Sequence, residues 1–89
     1  MKHIVCIASE YKGTEFLEEA HNAGWHVTLV TRVNLLDYDW GWASINDIRT
    51  VSAEAGSMDY VRATTNIAGS MAIHRVVGLD EFEIGRAHV

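Results

Sequence analysis

His3-Ile4-Val5-Cys6-Ile7-Ala8-Ser9-Glu10-Tyr11-Lys12-Gly13-Thr14-Glu15-Phe16-Leu17-Glu18-Glu19-Ala20-His21-Asn22-Ala23-Gly24-Trp25-His26-Val27-Thr28-Leu29-Val30-Thr31 is the stretch whose reading decides the fold. It opens on a short apolar run rich in β-branched residues. Such a run without polar alternation predicts a strand covered on both faces, as in a parallel sheet. A polar loop, Ser9-Glu10-Tyr11-Lys12-Gly13, follows. Thr14 then offers an N-cap hydroxyl and Glu15 an acid in the first turn, where the helix dipole favours negative charge. Phe16, Leu17, Ala20 and Ala23 recur at helical spacing, with Glu15, Glu18, Glu19 and Asn22 opposite. Gly24 is placed to stop the helix, and residues 25–31 read as a second strand. A strand, a helix and a strand joined by short connections require a right-handed parallel crossover.

Downstream of that unit the pattern loosens and then returns. Residues 32–46 hold Asp37, Tyr38, Asp39, Trp40, Gly41 and Trp42 and predict a long loop, with a helical turn over 44–47. Residues 48–51 read as a short third strand. Ser57 is placed to cap a second helix with Asp59 in its first turn. Val61, Thr64, Thr65, Ala68, Met71 and Ala72 give that helix its buried stripe. Residues 73–78 read as a fourth strand. The order β-α-β-irregular-β-α-β predicts an α/β, Rossmann-like three-layer domain with a mainly parallel sheet of about four strands. The sheet is expected to be incomplete at its C-terminal side.

The chain has 89 residues, enough for one domain, and its hydrophobic content of 48% and charged content of 21% are those of an ordinary globular protein. A formal net charge of −5 argues against nucleic acid and anionic membranes, which call for a basic face. Apolar runs are too short for a membrane span, and the N-terminus lacks a signal-peptide pattern, so the sequence reads as cytoplasmic. Cys6 is the single cysteine; within the first apolar run it reads as a buried, inert thiol. The last six residues, Ile84-Gly85-Arg86-Ala87-His88-Val89, break the preceding pattern. They match the peptide encoded in one frame by a common sequencing adapter, ATC GGA AGA GCA CAC GTC. Residues 1–83 are therefore read as the domain and 84–89 as adapter read-through.

In open parallel sheets ligands bind beyond the carboxyl ends of the strands, and four loops qualify: residues 9–13, 32–36, 52–56 and 79–83. The first feeds a helix N-terminus, which favours an anion. There Ser9, Glu10, Lys12, Gly13 and Thr14 are the substrate- or phosphate-binding candidates, but neither G-x-G-x-x-G nor G-x-x-x-x-G-K-[ST] is present, and an ordinary capped connection is the preferred reading. Arg32 follows the second strand, where a dinucleotide fold reads the ribose or its phosphate. Without the glycine pattern a surface residue is the preferred reading. Asp80 and Glu81 are further candidates, for a metal or as a base; the bland alternative is a solvated turn or a helix N-cap. His3, His26 and His74 stand at no metal-ligand spacing and read as packed strand residues. Trp40 and Trp42 read as anchors of the long loop. No catalytic set and no metal cluster emerges from the spacing.

Lys2-His3-Ile4-Val5-Cys6-Ile7-Ala8, the helix over 13–24, the strand over 25–31 and Val76-Val77-Gly78-Leu79-Asp80-Glu81-Phe82 together resemble the N-terminal, pre-ATP-grasp domain of ATP-grasp ligases. The biotin-carboxylase-like and carbamoyl-phosphate-synthase-like members are the nearest in pattern. The resemblance spans residues 1–83 and its motifs are moderately specific. It implies a parent enzyme that uses ATP and Mg²⁺ to join a small-molecule carboxylate to an amine, thiol or similar nucleophile through an acyl-phosphate. It also implies that the ATP- and Mg²⁺-holding residues lie downstream, that this domain supplies scaffold and one wall of the substrate cleft, and that the loop over 9–14 faces that cleft. The fragment itself would then be inactive and hold no cofactor. A homo-oligomer is compatible with this reading. Two alternatives stand beside it. An NAD(P)-binding oxidoreductase domain calls for glycine spacing that residues 8–13 do not supply. A non-catalytic, receiver-like module calls for acids after the first strand and an aspartate ending the third, where Val51-Ser52 stands.

Overall fold

The computed structural model describes residues 1–80. Glu81 and the tail 84–89 lie outside the described residues. The elements run β1 (His3–Ala8), α1 (Thr14–Asn22), β2 (His26–Arg32), β3 (Asp47–Val51), α2 (Ser57–Ser70) and β4 (Arg75–Gly78). All strand pairs are parallel and the sheet order is β3-β2-β1-β4. The chain is thus an α/β protein with a Rossmann-like half-sheet. β1 pairs with β2 in the register His3–His26 to Ala8–Thr31, and with β4 from Ile4–Arg75 to Ile7–Gly78.

Side-chain alternation along the central strands builds two cores. Ile4, Cys6, Ala8, Val27 and Leu29 face α1 and meet Leu17, Ala20, Trp40 and Leu79. Val5 and Val30 face the opposite side and meet Ala55, Tyr60 and Ile67 of the α2 layer. Covering both faces removes the need for polar alternation, which is why β1 is apolar after His3. Each fully buried Leu or Val contributes on the order of 1.5–3 kcal/mol relative to exposure.

Helix α1 ends as its glycine requires. Gly24 takes φ 94°, its N–H donates to the His21 carbonyl at 3.0 Å, and the Trp25 N–H donates to the Ala20 carbonyl at 3.1 Å. That reciprocal pair satisfies two carbonyls left over by the last turn. The two helix starts differ from the expectation. Gly13 and Gly56, not Thr14 and Ser57, are the N-caps, and neither hydroxyl makes a capping bond. At α2 the Asp59 carboxylate accepts the Gly56 N–H at 2.9 Å, so the acid in the first turn does the capping.

The α2 stripe is rotated from the expected one. Tyr60 and Ile67 are buried and Ala63 packs beside them, whereas Val61 is 52% and Met71 38% exposed. Positions 60, 63, 64 and 67 satisfy helical spacing as well as 61, 64, 65 and 68 do. The aromatic ring and the isoleucine offer more apolar area and win the sheet-facing side.

The β2–β3 connection carries two short 3₁₀ turns, Val33–Leu35 and Trp42–Ser44, and no α-helix. Trp40 closes it onto the α1 side of the sheet, fully buried, with its indole N–H donating to the Leu35 carbonyl at 2.9 Å. Trp42 stays largely exposed. Among the described residues no helix is long and apolar enough to cross a membrane.

Candidate functional site

Order β3-β2-β1-β4 means that the chain leaves β1 toward β2 and β3 on one side, and returns past β1 to β4 through α2 on the other. The strand order thus switches sides between β1 and β4, and it is outside the carboxyl ends of strands at such a point that open parallel sheets form a binding crevice. A cavity of about 450 Å³ lies there, inside the roughly 300–1,000 Å³ range of small-molecule sites. Ser9, Arg32, Tyr60 and Asp80 supply its polar lining, with Ile7 and Val76 among its apolar walls. The first turn of α2 also borders it, through Gly56 and Ser57.

Two charges of opposite sign line this cavity. Arg32 is the last residue of β2. Its Nε–H donates to the Tyr60 hydroxyl at 3.2 Å and an Nη2–H to the Ala55 carbonyl at 3.0 Å. Both partners are neutral. Asp80 follows β4. Its Oδ2 accepts the Ser9 N–H at 3.0 Å and the Ser9 hydroxyl. Its Oδ1 is buried and accepts no hydrogen bond from the described residues. The ion pairs among the described residues are Lys12–Glu10 and His26–Asp47, so neither Arg32 nor Asp80 is paired with an opposite charge there.

The predicted site residues separate accordingly. Ser9, Arg32 and Asp80 come together. Arg32 is not the plain surface residue its neighbourhood suggested; it is half-buried and tethered. Lys12 and Glu10 form a loose pair at 3.9 Å on the outside of the loop. Thr14 belongs to a separate hollow of about 350 Å³ bordered by Tyr11, Glu15 and Asp39. Gly13 takes φ 83°, and a Cβ there would lie 2.9 Å from Leu79 Cδ1. Its small size therefore serves a close approach to Leu79. Glu81 lies outside the described residues. Tyr60, Gly56 and Ser57 were not anticipated. The loop over 52–56 is one of the predicted carboxyl-end loops, but the Tyr60 role follows from the α2 stripe, which the spacing placed one residue away, on Val61.

At the opposite, amino end of the sheet the histidines pack. His3 Nδ1 faces the Ala72 carbonyl at 3.0 Å, which can only accept, so Nδ1 carries a proton; Nε2 lies 2.7 Å from the Thr28 hydroxyl. The His3 N–H donates to His74 Nδ1 at 2.9 Å, and His26 lies 2.7 Å from the Asp47 carboxylate. Among the described residues no three His, Cys, Asp or Glu side chains are grouped to hold a metal ion. Cys6 is buried in the sheet, and burial pushes its thiol up to about 12. A thiol so placed is neither a nucleophile nor a ligand at neutral pH.

Comparison with known proteins found no matching family model, no similar curated protein and no similar solved structure.

Proposed function

We propose that this chain is the N-terminal, substrate-cleft domain of a cytoplasmic ATP-grasp ligase that acts on a small-molecule carboxylate. The observation that carries the reading is Arg32: a tethered guanidinium with no carboxylate partner among the described residues, lining the crevice at the carboxyl ends of the strands. A planar fork of N–H donors suits a carboxylate better than any other side chain does. The α2 N-terminus beside it adds the positive end of the helix dipole, its Gly56 N–H being already given to Asp59. The motif resemblance over residues 1–83 supports the same parent. In that reading, ATP and Mg²⁺ are held by a downstream region that forms the acyl-phosphate, and this domain binds and orients the carboxylate substrate.

The sheet order also suits a dinucleotide-binding domain, which is the second reading. Against it, the β1–α1 turn lacks the glycine spacing, and its Gly13 is occupied by Leu79 where a pyrophosphate would need backbone access. The parent gene product decides between them. Carboxylate-dependent ADP release from Mg·ATP is expected; tight NAD binding without ATP turnover overturns the ligase reading. The 89-residue chain by itself is expected to show no saturable Mg·ATP binding by calorimetry. Binding at micromolar affinity would place nucleotide-holding groups within these residues and contradict the assignment.

A further inference from the structure

We infer that the crevice between β1 and β4 binds a zwitterion, an α-amino acid with a modest apolar side chain, with its carboxylate on Arg32 and its ammonium on Asp80. This rests on the proposed substrate-cleft reading and names the substrate class that the cleft selects.

The argument starts from an electrostatic oddity. A guanidinium and a carboxylate line one cavity of about 450 Å³, yet they form no ion pair with each other or with any other described residue. Two partly desolvated opposite charges gain by closing on each other, unless something holds them apart. Here something does, on both sides. Arg32 is drawn toward α2 by the Tyr60 hydroxyl and the Ala55 carbonyl. Asp80 is drawn toward β1 by the Ser9 N–H and hydroxyl. All four partners are neutral, so each charge is positioned but not neutralised. A ligand carrying both signs completes the two at once. A simple anion would leave Asp80 facing negative charge, and a simple cation would leave Arg32 facing positive charge.

The remaining hydrogen-bonding capacity agrees. Arg32 has N–H groups beyond the two engaged, which suits a carboxylate. Asp80 Oδ1 accepts from no described group and is closed to solvent, so an ammonium, with three donors to give, reaches it only once the carboxylate turns toward the cavity. Ile7 and Val76 supply apolar walls for a side chain, and the cavity volume of about 450 Å³ admits a single amino acid with room to spare.

Titrating the full chain with L-leucine, 4-methylpentanoate and 3-methylbutylamine, followed by amide chemical shifts, tests the inference. These probes keep the side chain and differ in the charges carried. Leucine is expected to move the Ser9, Gly56, Ser57 and Asp80 amides and to bind about tenfold or more tightly than either single-charge analogue, as loss of a charged hydrogen bond implies. Asp80→Asn should erase the preference for leucine over 4-methylpentanoate, and Arg32→Gln the preference over 3-methylbutylamine. Equal affinity for leucine and 4-methylpentanoate makes the crevice an anion site and overturns the inference, as does the absence of shifts with all three. The analogue series on the unaltered chain decides the matter if a variant does not fold. Leucine binding by the chain, with no amino-acid-dependent ADP release by the parent, would keep the zwitterion site and remove the ligase reading. ADP release with carboxylates alone would do the reverse.

Discussion

Gly13 shows how one residue joins two elements. It begins α1 in the left-handed region at φ 83°, and the position its Cβ would take is 2.9 Å from one Leu79 methyl and 3.0 Å from Leu79 Cβ. Gly24 has a similar backbone, φ 94°, but nothing lies within 4 Å of it. Alanine at either site meets the same backbone penalty, of about 1 kcal/mol, and at Gly13 it also meets Leu79. Gly13→Ala is therefore expected to lower unfolding stability by about 2–3 kcal/mol and Gly24→Ala by about 1 kcal/mol in urea titrations. Equal losses would show that Leu79 yields freely. Cys6 gives a second test at this scale. Its thiol is raised from 9.0 to about 12 by burial, so between those values the unfolded chain releases a proton that the folded chain keeps. Cys6 therefore favours folding fully below pH 9 and loses that contribution as pH rises toward 12. Relative to Cys6→Ala, the unaltered chain should lose stability progressively across that window. A pH-independent difference between the two would contradict the burial argument.

At the scale of elements, α2 is where spacing and structure part. Two stripes one residue apart both satisfy helical periodicity, and the sheet selects the one bearing Tyr60 and Ile67. Ile67→Ala removes a buried side chain and should cost about 2–4 kcal/mol, against less than about 0.5 kcal/mol for the exposed Val61→Ala. Thermal unfolding of the two variants checks this; the reverse order would restore the Val61 stripe. Three of the predicted site residues, Ser9, Arg32 and Asp80, end or follow three different strands, β1, β2 and β4. Each was legible as a carboxyl-end residue from strand order along the chain. That they share one crevice was not, because it depends on β4 returning beside β1 and not continuing beyond β3. The Gly13-Thr14 pair read plausibly as an anion site for the same local reasons, yet Leu79 packs against the glycine there.

For the whole molecule, both edges of the sheet matter. β4 is a four-residue edge strand with Val76 50% exposed, and β3 at the other edge is exposed along most of its length. A chain of this size buries a modest core, and only the central strands are covered on both faces. Urea unfolding is expected to yield a stability of no more than about 3–5 kcal/mol. A cooperative monomeric transition above about 90 °C would contradict that estimate.

By itself the sequence determined the class of fold: apolar runs without alternation, separated by helical spacing and stopped by Gly24, admit little besides a parallel α/β sheet. It also marked Trp40 as an anchor of the irregular β2–β3 connection, but it read Trp42 the same way, and Trp42 is 41% exposed. Tertiary structure alone decided which face of α2 is buried, how closely Gly13 at the start of α1 is approached by Leu79, and that Arg32 and Asp80 line one cavity with no ion pair among the described residues. The physical reason is common to all three. Local spacing depends on near neighbours along the chain, whereas these outcomes turn on contacts between segments some thirty to seventy residues apart, such as Arg32 with Tyr60 and Ser9 with Asp80.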